Sequence, residues 1–379
     1  MVELSGILQP IDDGLVIGQV EDDGQKSRDF VARFENAFAR FVDAKYAVAV
    51  NSATSGLMVS MMALLRRPGD NVVTSPMTFC STSNAILSAG GIPVFSDINQ
   101  KTLCIDASNI RTRIDSKSRG VLVVDLYGYP AINGQLRELC EKEDLFLVED
   151  AAQALGSSRA GEAVGSVAKA TVFSFFESKQ LSLGEGGMIT TNDEELAENF
   201  RTIRSHGQDK QYHQTTLGYN FRLPSKIAAD GLVALKLADN LIRRRTLLAR
   251  IYHEMLGHLE TADVLRNGKD VFCSYYRFPL VVSTRASKAQ EIAVRVSKAT
   301  NVAIGRGYRR LVYQQPFYRS IQSRYWAAKI LPFPRYSKLH CPNAEHAVSR
   351  IVELPTGPEV SDVKAVEIAS AVRKLLTEL

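Results

Sequence analysis

No run of about 18 apolar residues occurs, so no membrane-spanning helix is expected. The opening MVELSGILQPIDDG lacks the basic start and apolar core of a secretory signal, and the chain reads as cytoplasmic. The five cysteines, Cys80, Cys104, Cys140, Cys273 and Cys341, are scattered, odd in number and free of any CxxC pair. That argues against a disulfide framework and against a zinc or other metal site. Neither sign of charge dominates: 46 Lys and Arg against 41 Asp and Glu leave a net charge of +5. So mild an excess suits an anionic small molecule at least as well as nucleic acid, and no nucleic-acid or membrane partner is expected. No internal repeat or low-complexity segment stands out. What is present, 379 residues that are 45% hydrophobic and 23% charged, suits a globular chain with a large core in two or three domains.

Short apolar runs bounded by turn residues recur at Tyr46–Val50, Asn71–Thr74, Ile92–Phe95, Gly120–Val124 and Leu145–Val148. Helical patterns lie between most of them, including Leu57–Leu65 and Gln135–Glu143. This βα alternation predicts a parallel sheet, whose ligands bind beyond the carboxyl ends of the strands. Asn51, Phe79, Asp125 and Asp150 all fall just past strand ends and are expected to converge there. A long helix is predicted from Pro224 through Leu259, with Leu232, Leu235, Leu247 and Ile251 on its apolar face. Beyond it a strand at Tyr275–Val282 and helices at Ala286–Ala299 and Ala365–Leu376 predict a smaller α+β domain. The expected division is residues 1–240 and 241–379.

The chemistry concentrates in FSFFESKQLSLGEGGMITT, residues 173–191, where Lys179 lies between an aromatic strand and a glycine-rich turn. Asp150 ends VED after an apolar strand, 29 residues upstream (179 − 150). Pyridoxal phosphate (PLP) needs a lysine for its Schiff base and an acid to keep its pyridine nitrogen protonated, and the pair suggests that site. A lysine becomes nucleophilic at neutral pH only when desolvated or set beside other positive charge. Alone, such a lysine is more often solvated and such an aspartate a cap.

Several loops have the composition of an anion site. NSATSG, residues 51–56, joins a strand to a helix and offers backbone N–H groups and the hydroxyls of Ser52, Thr54 and Ser55 to a phosphate, or forms an ordinary helix cap. Ser174 adds a hydroxyl near Lys179, Phe79 is placed to stack on a ring, and Gln153 lies within reach of a ring oxygen. Of two arginine clusters, Arg243–Arg245 falls on a helical pattern and reads as solvated surface. Arg306, Arg309 and Arg310 fall in the loop VAIGRGYRRLVYQQP, which suits phosphate better.

The order NSATSGL, PMTFCSTSNAI with GGIPVFSDI, VEDAAQALGS, FSFFESKQLSLGEGGMITT, RSHG, GYNFR and LPTGP resembles the DegT/DnrJ/StrS sugar aminotransferases. The likeness runs from about Gly14 to Pro358. It implies the aspartate aminotransferase-like α/β fold of fold-type I PLP-dependent transferases, with a large, mostly parallel sheet domain and a smaller α+β C-terminal domain. It further implies that Lys179 carries the cofactor, Asp150 pairs with the pyridine nitrogen, Gln153 contacts the ring hydroxyl and Phe79 stacks on the ring. Ala53 and Thr54 by backbone and Ser174 by hydroxyl would hold the phosphate. Asn220 would reach the phosphate of the neighbouring subunit, which implies a homodimer with shared active sites.

Related sugar dehydratases carry histidine where this chain has Lys179, so the implied reaction is transamination. L-Glutamate or glutamine would be the donor and a keto group of a nucleotide-linked sugar the acceptor, with Arg306, Tyr308, Arg309 and Arg310 as candidate substrate contacts. A keto-cyclitol acceptor and a non-catalytic PLP-binding regulator are the alternatives. Three departures bear on the acceptor and the entry path. Pro224 and Lys226 follow GYNFR, Gly307 precedes Tyr308 where a histidine is common, and VEDDGQKSRDF interrupts the N-terminal segment.

Overall fold

The computed structural model describes residues 24–283 and 286–378. The expectations on Gly14 and on residues 20–23 of the VEDDGQKSRDF segment lie outside them.

Seven strands form the main sheet: β1 (Tyr46–Val50), β2 (Asn71–Thr74), β3 (Ile92–Phe95), β4 (Ser118–Val124), β5 (Phe146–Asp150), β6 (Ala170–Ser174) and β7 (Gly187–Thr191). Their spatial order is β1-β7-β6-β5-β4-β2-β3. Only β7 runs against its neighbours, pairing antiparallel with β1 and β6. The strands from β6 to β3 pair in parallel. Nearly every residue of β2, β4 and β5 is buried, as a sheet covered on both faces by helices requires. The antiparallel β7 was not legible as a separate strand, because GMITT has neither alternation nor a preceding helix.

Helix α1 (Gly24–Phe41) closes the β1 side. Phe34 and Phe38 are fully buried and meet Phe175 and Phe173 at ring-centroid distances of 5.1–5.5 Å. The free edge of β1 is covered by side chains and neighbouring backbone rather than by another strand of the sheet. Ala49 N–H donates to Glu35 Oε1 at 2.8 Å, Arg204 Nη1 donates to Ala49 O at 2.8 Å, and the same guanidinium reaches Glu35 at 2.7 Å. This satisfies an edge that would otherwise invite another strand.

The expected helix over 224–259 is two helices, Ser225–Leu235 and Ala238–Leu256. Each serves a different core. Ile227, Leu232 and Leu235 pack with the α1 cluster, whereas Leu248, Tyr252 and Leu256 enter the cluster shared by the main sheet and the C-terminal region. Leu237 at the break is exposed, and Leu247, expected to be apolar-facing, also points outward. In the C-terminal region a three-stranded antiparallel sheet runs β8 (Ala262–Val264), β9 (Phe278–Val282) and β10 (Ile351–Leu354). Strand β9 starts three residues later than expected, because Tyr275 adopts φ +48° and the chain turns there toward the carboxyl edge of the main sheet. Helices Ala286–Thr300 and Asp362–Thr377 lie near their predicted bounds.

Replacing Glu35 with Ala strips the acceptor from both Ala49 N–H and the Arg204 guanidinium. The expected loss is about 3 kcal/mol of unfolding free energy, read as a lower urea midpoint with an unchanged slope.

Candidate active site

Parallel register delivers the functional residues to one edge. Asp150 ends β5 beside Val124 of β4 and Val172 of β6. It is 5% exposed, and burial pushes its carboxyl up from the ordinary range. Three features pull the other way: Thr82 Oγ1 donates to Oδ2 at 2.7 Å, Ala152 N–H donates to Oδ1 at 3.2 Å, and Lys179 adds positive charge. All three favour the ionised form. Thr82 lies on helix α3 (Cys80–Ser88), one turn from Phe79. Phe79 itself is 60% exposed at the start of that helix, an unusual state for a phenylalanine with no partner.

Lys179 lies in the turn after β6, its N–H bonded to Phe176 O at 2.9 Å. Burial lowers the proton affinity of its amine, and Arg277 and Arg245 add to that, while Tyr276 and Asp150 oppose it. The Nζ stands 4.4 Å from the Tyr276 ring centroid. Tyr276 is fixed in turn by a 2.9 Å hydroxyl contact with Ser178 and by Arg245 donating to its carbonyl at 3.1 Å. Arg245 also donates to Lys179 O at 3.4 Å and to Thr356 Oγ1 at 3.3 Å. This corrects the reading of Arg243–Arg245 as uniformly solvated: Arg243 is exposed, but Arg245 is buried and braces the lysine turn.

Gln153, nearly buried, accepts from Tyr127 N–H at 2.8 Å and donates from Nε2 to Tyr308 Oη at 3.1 Å. Asp150, Lys179, Gln153 and Tyr308 thus form one group. At the neighbouring strand ends, Ser174 pairs with Gly187, and a Cβ on Gly187 would lie 2.7 Å from Ala53 N. Glycine is required there for β7 to pass beneath the start of α2 (Ala53–Leu64). Ser52 caps that helix by accepting from Ser55 N–H at 3.1 Å, and the N–H groups of Ala53 and Thr54 have no partner among the described residues. A glycine-lined cradle with two free N–H groups at a helix start is an anion site in form.

Other predicted residues lie elsewhere. Asp125 is fully buried, with Oδ1 accepting from Ala131 N–H at 2.8 Å, and Asn51 accepts from Ser55 Oγ at 2.6 Å; both are structural rather than convergent on the cleft. Asn220 is exposed and lines a separate cavity of about 900 Å³ with Arg204, His206 and Arg222, away from Lys179 of its own chain. Arg309 and Arg310 line a cavity of about 1190 Å³ together with Phe79, Tyr308, Phe317 and Trp326. Both guanidiniums lack an ion-pair partner among the described residues. Arg306 is not part of that lining. Pro224 and Lys226 are exposed at the start of their helix. Thr82, Tyr276, Arg245 and Tyr127 were missed. Thr82 alone had a local signal, its one-turn spacing from Phe79.

A model of the DegT/DnrJ/EryC1/StrS aminotransferase family matches residues 16–373. GDP-perosamine synthase of Escherichia coli O157:H7 is 30% identical over 353 residues, covering 92% of this chain and 91% of the relative. UDP-N-acetyl-3-dehydro-alpha-D-glucosamine 3-aminotransferase of Acidithiobacillus ferrooxidans is 31% identical over 390 residues, covering 99% and 97%. Among solved structures, NtdA of Bacillus subtilis, with pyridoxamine phosphate bound, superposes with a TM-score of 0.81 at 25% identity over 92% of this chain and 77% of that one. The architecture is the expected fold-type I arrangement, a large, mostly parallel sheet flanked by helices.

Substituting Val for Thr82 deletes a hydrogen bond that favours ionised Asp150, so its carboxyl titrates at higher pH than in the wild type. Infrared difference titration, with Asp150→Asn to identify the band, reads that upward shift; a downward one contradicts the role assigned to Thr82.

Proposed function

The chain belongs to the DegT/DnrJ/EryC1/StrS aminotransferase family, and from that membership we propose that it transfers an amino group from L-glutamate or glutamine to a keto carbon of a nucleotide-linked sugar. PLP is its cofactor. The observation that carries this reading is the placement of a buried carboxylate, Asp150, and a desolvated amine, Lys179, at the edge of one sheet.

The residues fit the group. The α2 start, with its free N–H groups and the close approach of Gly187, accepts a phosphate, with Ser174 beside it. The exposed Phe79 ring is free to stack, and the Gln153 amide has a second N–H to offer a ring oxygen. When bound, PLP supplies a conjugated ring that accepts electrons from a carbon losing its proton. Asp150, whose charged form the Thr82 hydroxyl and Ala152 N–H favour against its burial, would be the hydrogen-bond partner for the pyridine nitrogen. In each half of the reaction Lys179 would move a proton between the substrate carbon and the cofactor carbon, away from the donor's α-carbon in the first half and onto the acceptor's carbon in the second. Its desolvation lowers the amine's proton affinity, which favours its use as a base, and the Tyr276 ring lies beside it. Tyr308 steadies Gln153 and forms part of the wall toward the acceptor.

The acceptor reading rests on the two unpaired guanidiniums, Arg309 and Arg310, in the large cavity that opens past Phe79, where they suit a diphosphate. The names of the two relatives, one for a GDP-linked and one for a UDP-linked sugar, support it. A keto-cyclitol would leave both arginines without a task. A non-catalytic regulator has no need of a desolvated lysine opposite a second charge. The protein is proposed to work in the cytoplasm as a homodimer in which Asn220 serves the partner's phosphate. Residues 1–240 would form the cofactor domain and 241–379 the smaller one.

An absorbance spectrum taken before and after adding L-glutamate tests the first half. The wild type is expected to show a visible-edge band that glutamate bleaches, and Lys179→Ala to show neither. A wild type that binds no PLP overturns the reading. For the second half, Arg309→Ala is expected to raise KM for a nucleotide-linked keto sugar about tenfold, with the glutamate half-reaction unchanged.

A further inference from the structure

Strand β10 carries a carboxylate into this site from the C-terminal sheet. Glu353 is the third residue of β10, between Val352 and Leu354, which face the core. Its backbone bridges Gly305 in both directions, Gly305 N–H to Glu353 O at 3.0 Å and Glu353 N–H to Gly305 O at 2.9 Å. The turn Gly305-Arg306-Gly307 is therefore bound to the residue whose side chain it faces.

Gly305 is shaped around that side chain, and Gly307 around Ile351, Tyr127 and Glu353 together, a Cβ there standing 2.8 Å from Ile351 Cγ2. A Cβ on Gly305 would collide with Glu353 Oε2. Gly307 holds φ +55°, and a Cβ there would stand 3.2 Å from Glu353 Oε1 and 2.9 Å from Tyr127 Oη. The Tyr127 hydroxyl is fully buried and completes no aligned hydrogen bond in the structure. The carboxylate and the phenol therefore border the same space beside Gly307, and each bears on the other's charge. Tyr127 also presents its backbone N–H to Gln153, and Gln153 donates to Tyr308.

We propose that Glu353 is a positioning residue of the cofactor site, a carboxylate for which the Gly305-Arg306-Gly307 turn leaves room and which steadies Tyr127 and Tyr308 around Gln153. It rests on the reading of Lys179 and Gln153 as cofactor contacts. The groups facing it are Tyr127 from the loop after β4, Tyr308 from the turn, and Lys179 and Arg277 as the nearby positive charges. Asp150, the other carboxylate of the site, acts from the main-sheet side. Burial favours the neutral form of Glu353, while Tyr127, Arg277, Gly307 N–H and Lys179 favour its charge. Its ionised form supplies negative potential on the Lys179 side of the cleft, which stabilises a protonated nitrogen there. The missing side chain of Gly307 leaves part of the space that Glu353 uses.

The test is a pH titration of the visible absorbance of PLP-loaded protein for wild type, Glu353→Gln, Glu353→Asp and Gly307→Ala, with thermal unfolding beside it. Removing the negative charge in Glu353→Gln is expected to lower the titration midpoint by more than about 0.5 unit, without an equal loss of unfolding temperature. Gly307→Ala, whose Cβ would crowd Ile351, Tyr127 and the carboxylate together, should move the midpoint in the same direction. Should Glu353→Gln fail to fold, Glu353→Asp and Gly307→Ala carry the comparison. A midpoint within about 0.2 unit of wild type in folded, PLP-loaded variants overturns the proposal. A wild type that takes up no PLP is a different result, and removes the functional reading together with this one.

Discussion

The site turns on a carboxyl placed where water cannot stabilise its charge. Asp150 sits at the end of a strand buried on both faces, and an uncompensated carboxylate there would take up a proton. The surrounding structure is arranged to prevent that. Parallel pairing puts β4 and β6 alongside so that no solvent reaches the strand from either side. Helix α3 starts late enough after β2 to bring Thr82 onto the carboxylate, and Lys179 supplies the opposing charge. The same exclusion of water that threatens Asp150 lowers the proton affinity of Lys179, so one constraint shapes both groups in opposite directions.

A lysine on a turn is useful only if the turn does not move. Arg245 solves this from a different part of the chain, bonding the carbonyls of both Lys179 and Tyr276 and the hydroxyl of Thr356. Thr356 in turn donates to the carbonyl of Tyr275 at 2.7 Å. Nearby, Gln180 contacts the Gln153 carbonyl and donates to Ser274 Oγ at 3.0 Å, and Ser274 meets Ser157 at 2.9 Å. Buried polar groups of this kind have no slack: each is satisfied only in one arrangement of the main sheet, the lysine turn and the C-terminal sheet. The C-terminal sheet is therefore a wall of the site, mounted through a shared core cluster, rather than an appendage.

What was legible in the sequence follows from this division. The strands at 46–50, 71–74 and 92–95 were read to the residue, because short apolar runs between turn signals have few other meanings in a βα series. Asp150, Lys179, Gln153 and the residue 51–56 loop each lie at one strand end or one turn, but locally each also reads as a cap, a solvated side chain or an exposed amide, and only the order of the motifs along the chain singled them out. Arg245 was not, since three arginines on a helical pattern look alike until the helix is docked, and only docking separates the buried one from its exposed neighbour. The break at residues 236–237 was hidden for the same reason: the apolar pattern continues through it while the core it faces changes. Tyr127 carries no motif, and its role as the fixed point for Gln153 comes from a backbone N–H that any residue would possess.

The absence of a histidine before Tyr308 looks, along the chain, like a loss from the acceptor side of the site. In space, Gly307 is occupied from outside itself. Its missing side chain and left-handed backbone leave the volume in which Glu353 meets Tyr127, and Gly305 yields on the other flank. Restoring a side chain at residue 307 while keeping Glu353 would place both in one volume, so the two positions constrain each other and neither is free to vary alone. A cationic or neutral ring at that point would also reverse the sign of the charge facing Lys179 or remove it. The space at residue 307 is thus filled by a carboxylate that arrives from a different strand, and the two positions share one volume.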